Sequence, residues 1–331
     1  MAESFAKDSD RLARFTREAK TLARGAMPLE EALPVARQIA EALVHPMKCS
    51  PCGWTSVVVM AVLTGACGAA PPPPYRPLPV ISVAPELLDD LEETRRYLNA
   101  FPLDDYQRYD VPGVGSFFVD DPADMIKQVI VAGDKWERHS FDLLDEYVVP
   151  GTVAVEVGAH IGTHTVRIGQ LAGPWGRVYA FEPQRKIYRE LHHNLALNGL
   201  TNVVALRMAI GSGETRVIEM NPATPGNEGG TGVGAGGDRA ELRSLDSFGF
   251  DHVSLLKIDV ETYENEVLDG ALDTIRRNRP VILIEIMGGH DPEEASPEVL
   301  ERIAFTRSKL EALDYSVSQV FKHDYLALPV D

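Results

Sequence analysis

Cysteine is scarce in this chain: three residues in 331, too few for a disulfide framework, so a reducing compartment, the cytoplasm, is expected. Positive charge is scarce as well. Thirty-two Lys and Arg stand against 49 Asp and Glu, a formal net charge of −17, and no Lys/Arg run interrupts the excess. That balance argues against a nucleic-acid binder or a binder of anionic membranes, while a small neutral or cationic ligand fits it. No secretion signal opens the chain, because residues 1–24 are charged throughout. A membrane span needs about 20 apolar residues. The nearest run, Trp54 to Ala70, is shorter and closes on Pro71–Pro74. It reads as a buried helix or hydrophobic docking segment, with a membrane-associated element as the lesser reading. His45, Cys49, Cys52 and Cys67 form H-x3-C-x2-C and a distant third thiol. One C-x-x-C pair in apolar surroundings is weak support for zinc, since thiols are among the most buried side chains. No residue is assigned as a metal ligand.

What is present divides the chain at residue 110. Hydrophobic residues at 44% and charged residues at 24% are ordinary for a globular protein. Residues 1–110 read as a helical extension or cap: helices over Phe5–Ala23 and Leu29–Leu43, a Pro-rich apolar linker, and a helix over Pro85–Leu98. Residues 111–331 alternate strands and helices, the pattern of a parallel sheet. Strands are expected at Val153–Val157, Val178–Phe181, Val203–Arg207, Leu255–Ile258 and Val281–Ile286, with helices at Trp136–Val148, Thr163–Leu171 and Lys186–Leu197. Glu214–Met220 and Ala240–Leu245 suit a local antiparallel pair. Between them lies Pro225–Gly237, so rich in glycine that it reads either as a lid ordering on ligand or as a loose surface loop. Leu310–Leu328 should hold the last antiparallel strands.

The most informative stretch is Val153-Ala-Val-Glu156-Val-Gly158-Ala-His160-Ile-Gly162-Thr-His164, followed by Val178-Tyr-Ala-Phe-Glu182-Pro. An apolar run, an acid, two glycines and an amphipathic run predict strand, tight turn and helix. Gly158 and Gly162 let the backbone approach a ligand facing the next helix N-terminus. Glu182 ends a second apolar strand, where a carboxylate can hold two ribose hydroxyls, so a nucleoside site on a doubly wound sheet is expected. A missing residue decides which nucleoside. Dinucleotide folds use G-x-G-x-x-G, but the order here is Glu156-x-Gly158-x-x-x-Gly162, without the middle glycine. An acid in that turn repels a pyrophosphate and suits an ammonium group. S-adenosylmethionine (SAM) carries an ammonium, a sulfonium and no phosphate, and so ranks above a nicotinamide dinucleotide.

Two further stretches, Leu256-Lys-Ile-Asp259-Val-Glu261-Thr-Tyr-Glu264-Asn-Glu-Val-Leu-Asp-Gly270 and Asn194-Leu-Ala-Leu-Asn198-Gly-Leu-Thr-Asn-Val203, complete a set. With them the chain resembles the FkbM-type SAM-dependent methyltransferases, whose pattern runs D-V-G-A-N-x-G, F-E-P, N-x-x-L-N-G-x-x-N-V and K-I-D-V-E-G-x-E-x-x-V-L-x-G. Four motifs in order carry the resemblance, from about Asp134 to the C-terminus. It implies an α/β, Rossmann-like class I methyltransferase fold. Such a fold is a seven-stranded, mostly parallel sheet with a reversed last strand pair and helices on both faces, joined here to a mainly helical N-terminal extension. It also implies O-methylation of a hydroxyl on a sugar or natural-product intermediate. Cofactor contacts fall on Glu156, Gly158, His160, Gly162, Glu182 and Asp259. Glu156 replaces the usual Asp, His160 the usual Asn, and Thr262 the Gly after Glu261.

Methyl transfer to oxygen is an in-line displacement that must also remove the acceptor proton. Asp259 is the first choice for base or acceptor-orienting group. Glu261 is expected to hold cofactor, substrate or a divalent cation, unless it merely caps the following helix. Glu285 ends strand five, and His290 beyond it is the third catalytic candidate beside Asp259 and Glu261, with a reference pKa near neutrality. Asp259, Glu261 and Glu285 together could take magnesium. Two rival classes stand beside the methyltransferase: a nicotinamide-dependent oxidoreductase, and a non-catalytic scaffold whose N-terminal helices plug the cleft. The expected partner is a small hydroxylated acceptor, with no nucleic acid and no firm membrane association; a homodimer is compatible.

Overall fold

The computed structural model describes residues 95, 96, 98–100, 104–286 and 295–330. The helices expected in residues 1–45, the Trp54–Ala70 segment, the three cysteines, most of the Pro85–Leu98 helix and His290 lie outside them.

The domain opens with a hairpin of β1 (Gln107–Val111) and β2 (Gly115–Val119), followed by the short helix α1 (Lys127–Val131) and by α2 (Arg138–Tyr147). A strand–helix alternation follows: β3 (Val153–Val157), α3 (Thr163–Ala172), β4 (Arg177–Phe181), α4 (Arg185–Leu197) and β5 (Val203–Leu206). Next come β6 (Ala209–Ile210), β7 (Arg216–Met220), β8 (Val233–Gly234) and β9 (Arg239–Arg243). The chain then resumes its main course through β10 (Val253–Ile258), α5 (Glu264–Asp269), α6 (Leu272–Asn278) and β11 (Val281–Glu285). It ends with α7 (Pro297–Glu311), β12 (Tyr315–Phe321) and β13 (Asp324–Pro329).

Seven strands form the main sheet in the order β12-β13-β11-β10-β3-β4-β5. The central pairs are parallel, and β13 runs antiparallel to both β11 and β12. Only one strand is therefore reversed, not a pair, because β12 turns back into β13 and recovers the common direction. The order starts at β3 in the middle, winds outward to β5 and returns beside β3 at β10. This is a switch point, and in doubly wound sheets ligands bind outside the carboxyl ends of the strands there. Strands β6 to β9 form a separate four-stranded sheet, with β7 and β9 antiparallel as their composition suggested.

Every residue of β3 is buried, as a strand covered on both faces must be. Val155 and Val157 pack with Phe181, Leu256 and Ile258 and with Val267 and Ile275 of α5 and α6. Ala154 faces the other way, with Leu144 of α2 and Ile168 of α3. Helices thus cover both faces. The asparagines of the N-x-x-L-N motif serve this packing. Asn194 accepts from the Phe118 N–H at 2.8 Å and donates to the Ile161 carbonyl, while Asn198 makes two bonds to the Ser116 backbone, so both stitch β2 onto α4. Among the described residues no helix is long and apolar enough to cross a membrane.

Candidate active site

A cleft of about 430 Å³ opens at the carboxyl ends of β3, β4, β10 and β11. Gly158, His160, Glu182, Asp259 and Glu261 line it, as does Glu285. Glu156 and Gly162 do not.

Gly158 owes its identity to the neighbouring strand. Its φ is +87°, and a Cβ there would sit 1.7 Å from the Asp259 carbonyl oxygen. The ends of β3 and β10 meet at this point, and the Asp259 N–H donates to the Val157 carbonyl at 2.9 Å. Glu182 follows β4, and both its oxygens are held by backbone: His160 N–H at 3.0 Å and Gln184 N–H at 2.9 Å. These bonds favour the carboxylate, but burial outweighs them and lifts Glu182 to about 7. The His160 ring is shielded from solvent, its nitrogens have no hydrogen-bond partner among the described residues, and burial lowers its pKa to about 4. It therefore faces the cleft as a neutral imidazole.

Glu156 sits behind the wall. Alternation along β3 turns it away from Val155 and Val157, and Thr165 Oγ1 donates to its Oε2 at 2.6 Å. Its Oε1 has no hydrogen-bond partner among the described residues, and burial raises its pKa to about 7. Across the strand pair its register partner is Lys257. This lysine stands in the motif with no role assigned from sequence, although a cation inside a mostly apolar strand is a signal in itself. Lys257 Nζ reaches Asp259 Oδ2 at 2.9 Å, and the acids around it hold it charged despite burial.

The acids after β10 are sorted by that lysine. Burial pushes Asp259 upward, but the Lys257 ammonium and a hydrogen bond from Glu285 outweigh it and bring Asp259 below its ordinary value. Glu285 moves the opposite way, raised by burial and by the Asp259 charge, and stands as the protonated partner. Glu137, which sequence reasoning missed, enters the cleft just before α2 with φ +49°, and burial and Asp259 raise its pKa too. Nothing in its local sequence marks it; the fold brings it there.

Glu261 differs from Asp259 in kind. Strand β10 ends at Ile258, so strand alternation does not place Glu261; it sits in a turn with φ +50°, followed by Thr262 at +79°. The Glu264 carboxylate accepts from the Thr262 N–H at 2.9 Å and closes that turn. Burial, then the charges of Asp259 and Glu264, raise Glu261 to about 7.

The magnesium reading is not supported. Among the described residues one acidic trio has oxygens converging as for a metal, and it is Asp120, Glu190 and Glu228 rather than Asp259, Glu261 and Glu285. The Lys127 ammonium already fills that trio at 2.6–3.0 Å. In the cleft, Lys257 supplies the cation that Asp259 needs. His160 lies ahead of α3, while His164 is buried within it against Phe141.

Residues 156–317 match the methyltransferase FkbM domain. A curated relative, the AMB antimetabolite synthetase AmbE of Pseudomonas aeruginosa, is 29% identical over 189 residues, 44% of this chain. The chain spans only 9% of that relative's length. Among solved structures, methyltransferase FkbM of Methylobacillus flagellatus is 15% identical, covering 73% of this chain and 60% of its own, with a TM-score of 0.38. Aeropyrum pernix fibrillarin, solved with bound SAM, is also 15% identical, over 57% of this chain and 73% of its own, with a TM-score of 0.38. The strand order 12-13-11-10-3-4-5, the acid ending β4 and the matched domain agree, and residues 156–317 of this chain belong to the FkbM family of SAM-dependent class I methyltransferases.

Proposed function

We propose that the domain transfers a methyl group from SAM to a hydroxyl of a sugar or natural-product intermediate, with Glu261 as the base. One observation carries this reading: of the two acids following β10, the one at the cleft with a pKa near 7 is Glu261, while Asp259 is held ionised by Lys257. A base works best when its pKa lies near the operating pH. Asp259, with its charge neutralised, is suited to orient the acceptor rather than to take its proton.

The cleft residues fit SAM. Glu182 can accept from the two ribose hydroxyls through its remaining lone pairs, since backbone N–H groups already fix its geometry. The shielded His160 nitrogens offer a donor and an acceptor to the ligand, and the Gly158 backbone allows close approach. When bound, SAM supplies an electrophilic methyl group on its sulfonium. The Glu261 carboxylate would accept the acceptor hydroxyl's proton as the O–CH₃ bond forms and the S–CH₃ bond breaks, with S-adenosylhomocysteine as the leaving thioether. Glu285, protonated beside Asp259, can donate a hydrogen bond without adding charge. The name of the curated relative, an antimetabolite synthetase, supports a natural-product setting. We place the enzyme in the cytoplasm with a small hydroxylated acceptor, and assign residues 1–110 as a cap that selects it.

Incubation of the purified chain with methyl-labelled SAM and a panel of hydroxylated sugars and natural-product intermediates tests the proposal. Label recovered as an O-methyl ether is the expected result. Label found on nitrogen or carbon only, or tight binding of NAD in place of SAM, overturns it.

A further inference from the structure

The glycine-rich strap Pro225–Gly237 is built into the wall of the cleft, where Asn227, Gly229, Gly230 and Thr231 line it. Its one acid, Glu228, does not. That side chain points away into a buried ion cluster instead. Lys127 Nζ, wholly enclosed, lies 2.7 Å from Glu228 Oε2, 2.6 Å from Asp120 and 3.0 Å from Glu190. Lys186 Nζ bridges the other oxygens of Glu228 and Asp120. The strap's backbone is tied down at the same place: Glu228 N–H donates to Asp124 Oδ2 at 2.9 Å, and the Glu228 carbonyl accepts from Thr231 Oγ1 at 2.9 Å and Gln184 Nε2 at 3.3 Å.

On its other side the strap presses on two cleft residues. A Cβ on Gly232 would stand 2.8 Å from the Glu261 carbonyl oxygen, and one on Gly229 would stand 2.7 Å from Ile126 Cδ1 and 3.3 Å from His160 Nε2. Glycine at these positions lets the strap lie flush against both. Glu261 holds a left-handed φ of +50°, a conformation that persists only where the surroundings enforce it. Gly232 of the strap packs against the carbonyl of that residue.

We propose that Glu228 is a positioning residue for methyl transfer: pinned by Lys127 and Lys186, it seats the strap so that Gly232 holds Glu261 in the cleft. The inference rests on Glu261 being the base. Replacing the charge of Glu228 takes one acid from the enclosed Lys127 and one from the partly exposed Lys186 and frees the strap; neither hydrogen bond to the Glu182 carboxylate comes from the strap. SAM binding and acceptor turnover therefore respond differently.

The full-length Glu228→Gln and Gly232→Ala variants test this by three readings. Hydrogen–deuterium exchange over residues 226–234 should rise in Glu228→Gln. Acceptor kcat/KM should fall about 10- to 100-fold in both, the range expected for misplacing a reacting group by about 1 Å, while the SAM dissociation constant of Gly232→Ala stays at the parent value. The acid limb of the kcat–pH profile should move to lower pH as Glu261 gains solvent, a shift that simple loss of folded protein cannot produce. Unchanged exchange in the strap overturns the proposal, as does faster exchange with parental kcat/KM and an unmoved profile. A parent enzyme inactive on every hydroxyl acceptor defeats the Glu261 reading and the positioning role with it. An active parent whose variants match it defeats the positioning role alone.

Discussion

Asp259 and Glu261 stand two positions apart and differ in what surrounds them. Lys257 reaches the first, whereas two neighbouring carboxylates and partial burial act on the second. If Glu261 is the base, Glu261→Gln should keep the fold and the SAM affinity and lose most turnover, because an amide cannot take the proton. In the parent, kcat should rise with pH through a midpoint near 7, since the working form is the carboxylate. A flat profile between pH 6 and pH 8, or a Gln variant with parental turnover, would remove Glu261 from that role. At the other end of the cleft, Glu182→Ala should weaken SAM binding by about 1.5–3 kcal/mol, the usual worth of hydrogen bonds to a charged group. Calorimetric titration checks this directly, and an unaltered affinity would show that ribose binding lies elsewhere.

The turn after β10 concentrates strain in one short element. Glu261 and Thr262 both have positive φ, and a β-branched residue at +79° is an outlier where the family pattern carries glycine. Thr262→Gly should therefore raise stability, by about 1 kcal/mol, the scale of a left-handed backbone penalty. A lower melting temperature for that variant would refute the strain. Gly158→Ala should do the reverse. Its added Cβ would collide with the Asp259 carbonyl, which cannot swing aside as a side-chain tip can, so a loss on the order of 3 kcal/mol is expected. Thermal unfolding of the two variants beside the parent gives both signs in one measurement.

For the molecule as a whole, the enclosed acids make stability depend on pH in an unusual direction. Burial raises Glu156 and Glu182 from 4.5 to about 7, so the folded state holds protons that the unfolded chain has already released. Between those two values the folded state binds more protons than the unfolded one, and stability falls as pH rises, by up to about 3 kcal/mol per acid. Buried His160 and His164, lowered to about 4 and about 3, act the other way below pH 6.5, so the share of one acid is read by difference: without SAM, the melting temperature of the parent minus that of Glu156→Gln should fall from pH 4.5 to pH 7. A difference that climbs over the same interval would contradict the assignment. Truncation belongs at this scale too. Strand β1 starts at Gln107, so a chain starting at residue 104 keeps the whole hairpin, and it should melt cooperatively. If residues 1–110 are a cap, that shortened enzyme should bind SAM normally and lose acceptor selectivity.

Much of the frame was legible in the order of residues, because it depends on neighbours along the chain. Apolar runs of strand length, amphipathic runs after glycine turns and two acids closing consecutive strands specify a doubly wound sheet with a nucleoside cleft at the ends of β3 and β4. Their motif spacing also points to the family. What the tertiary structure alone decided are relations between residues distant in sequence, together with the loss of water around them. Lys257 faces Glu156 across a strand pair, Glu137 arrives from the turn ahead of α2, and Lys127 meets Glu228 from about a hundred positions away. Those distances assign the charge: they make Asp259 the neutralised acid and Glu261 the one near neutrality, and they move Glu156 behind the cleft. A carboxyl group's pKa is set by burial and by charges within a few ångströms, and neither quantity exists until the chain has folded.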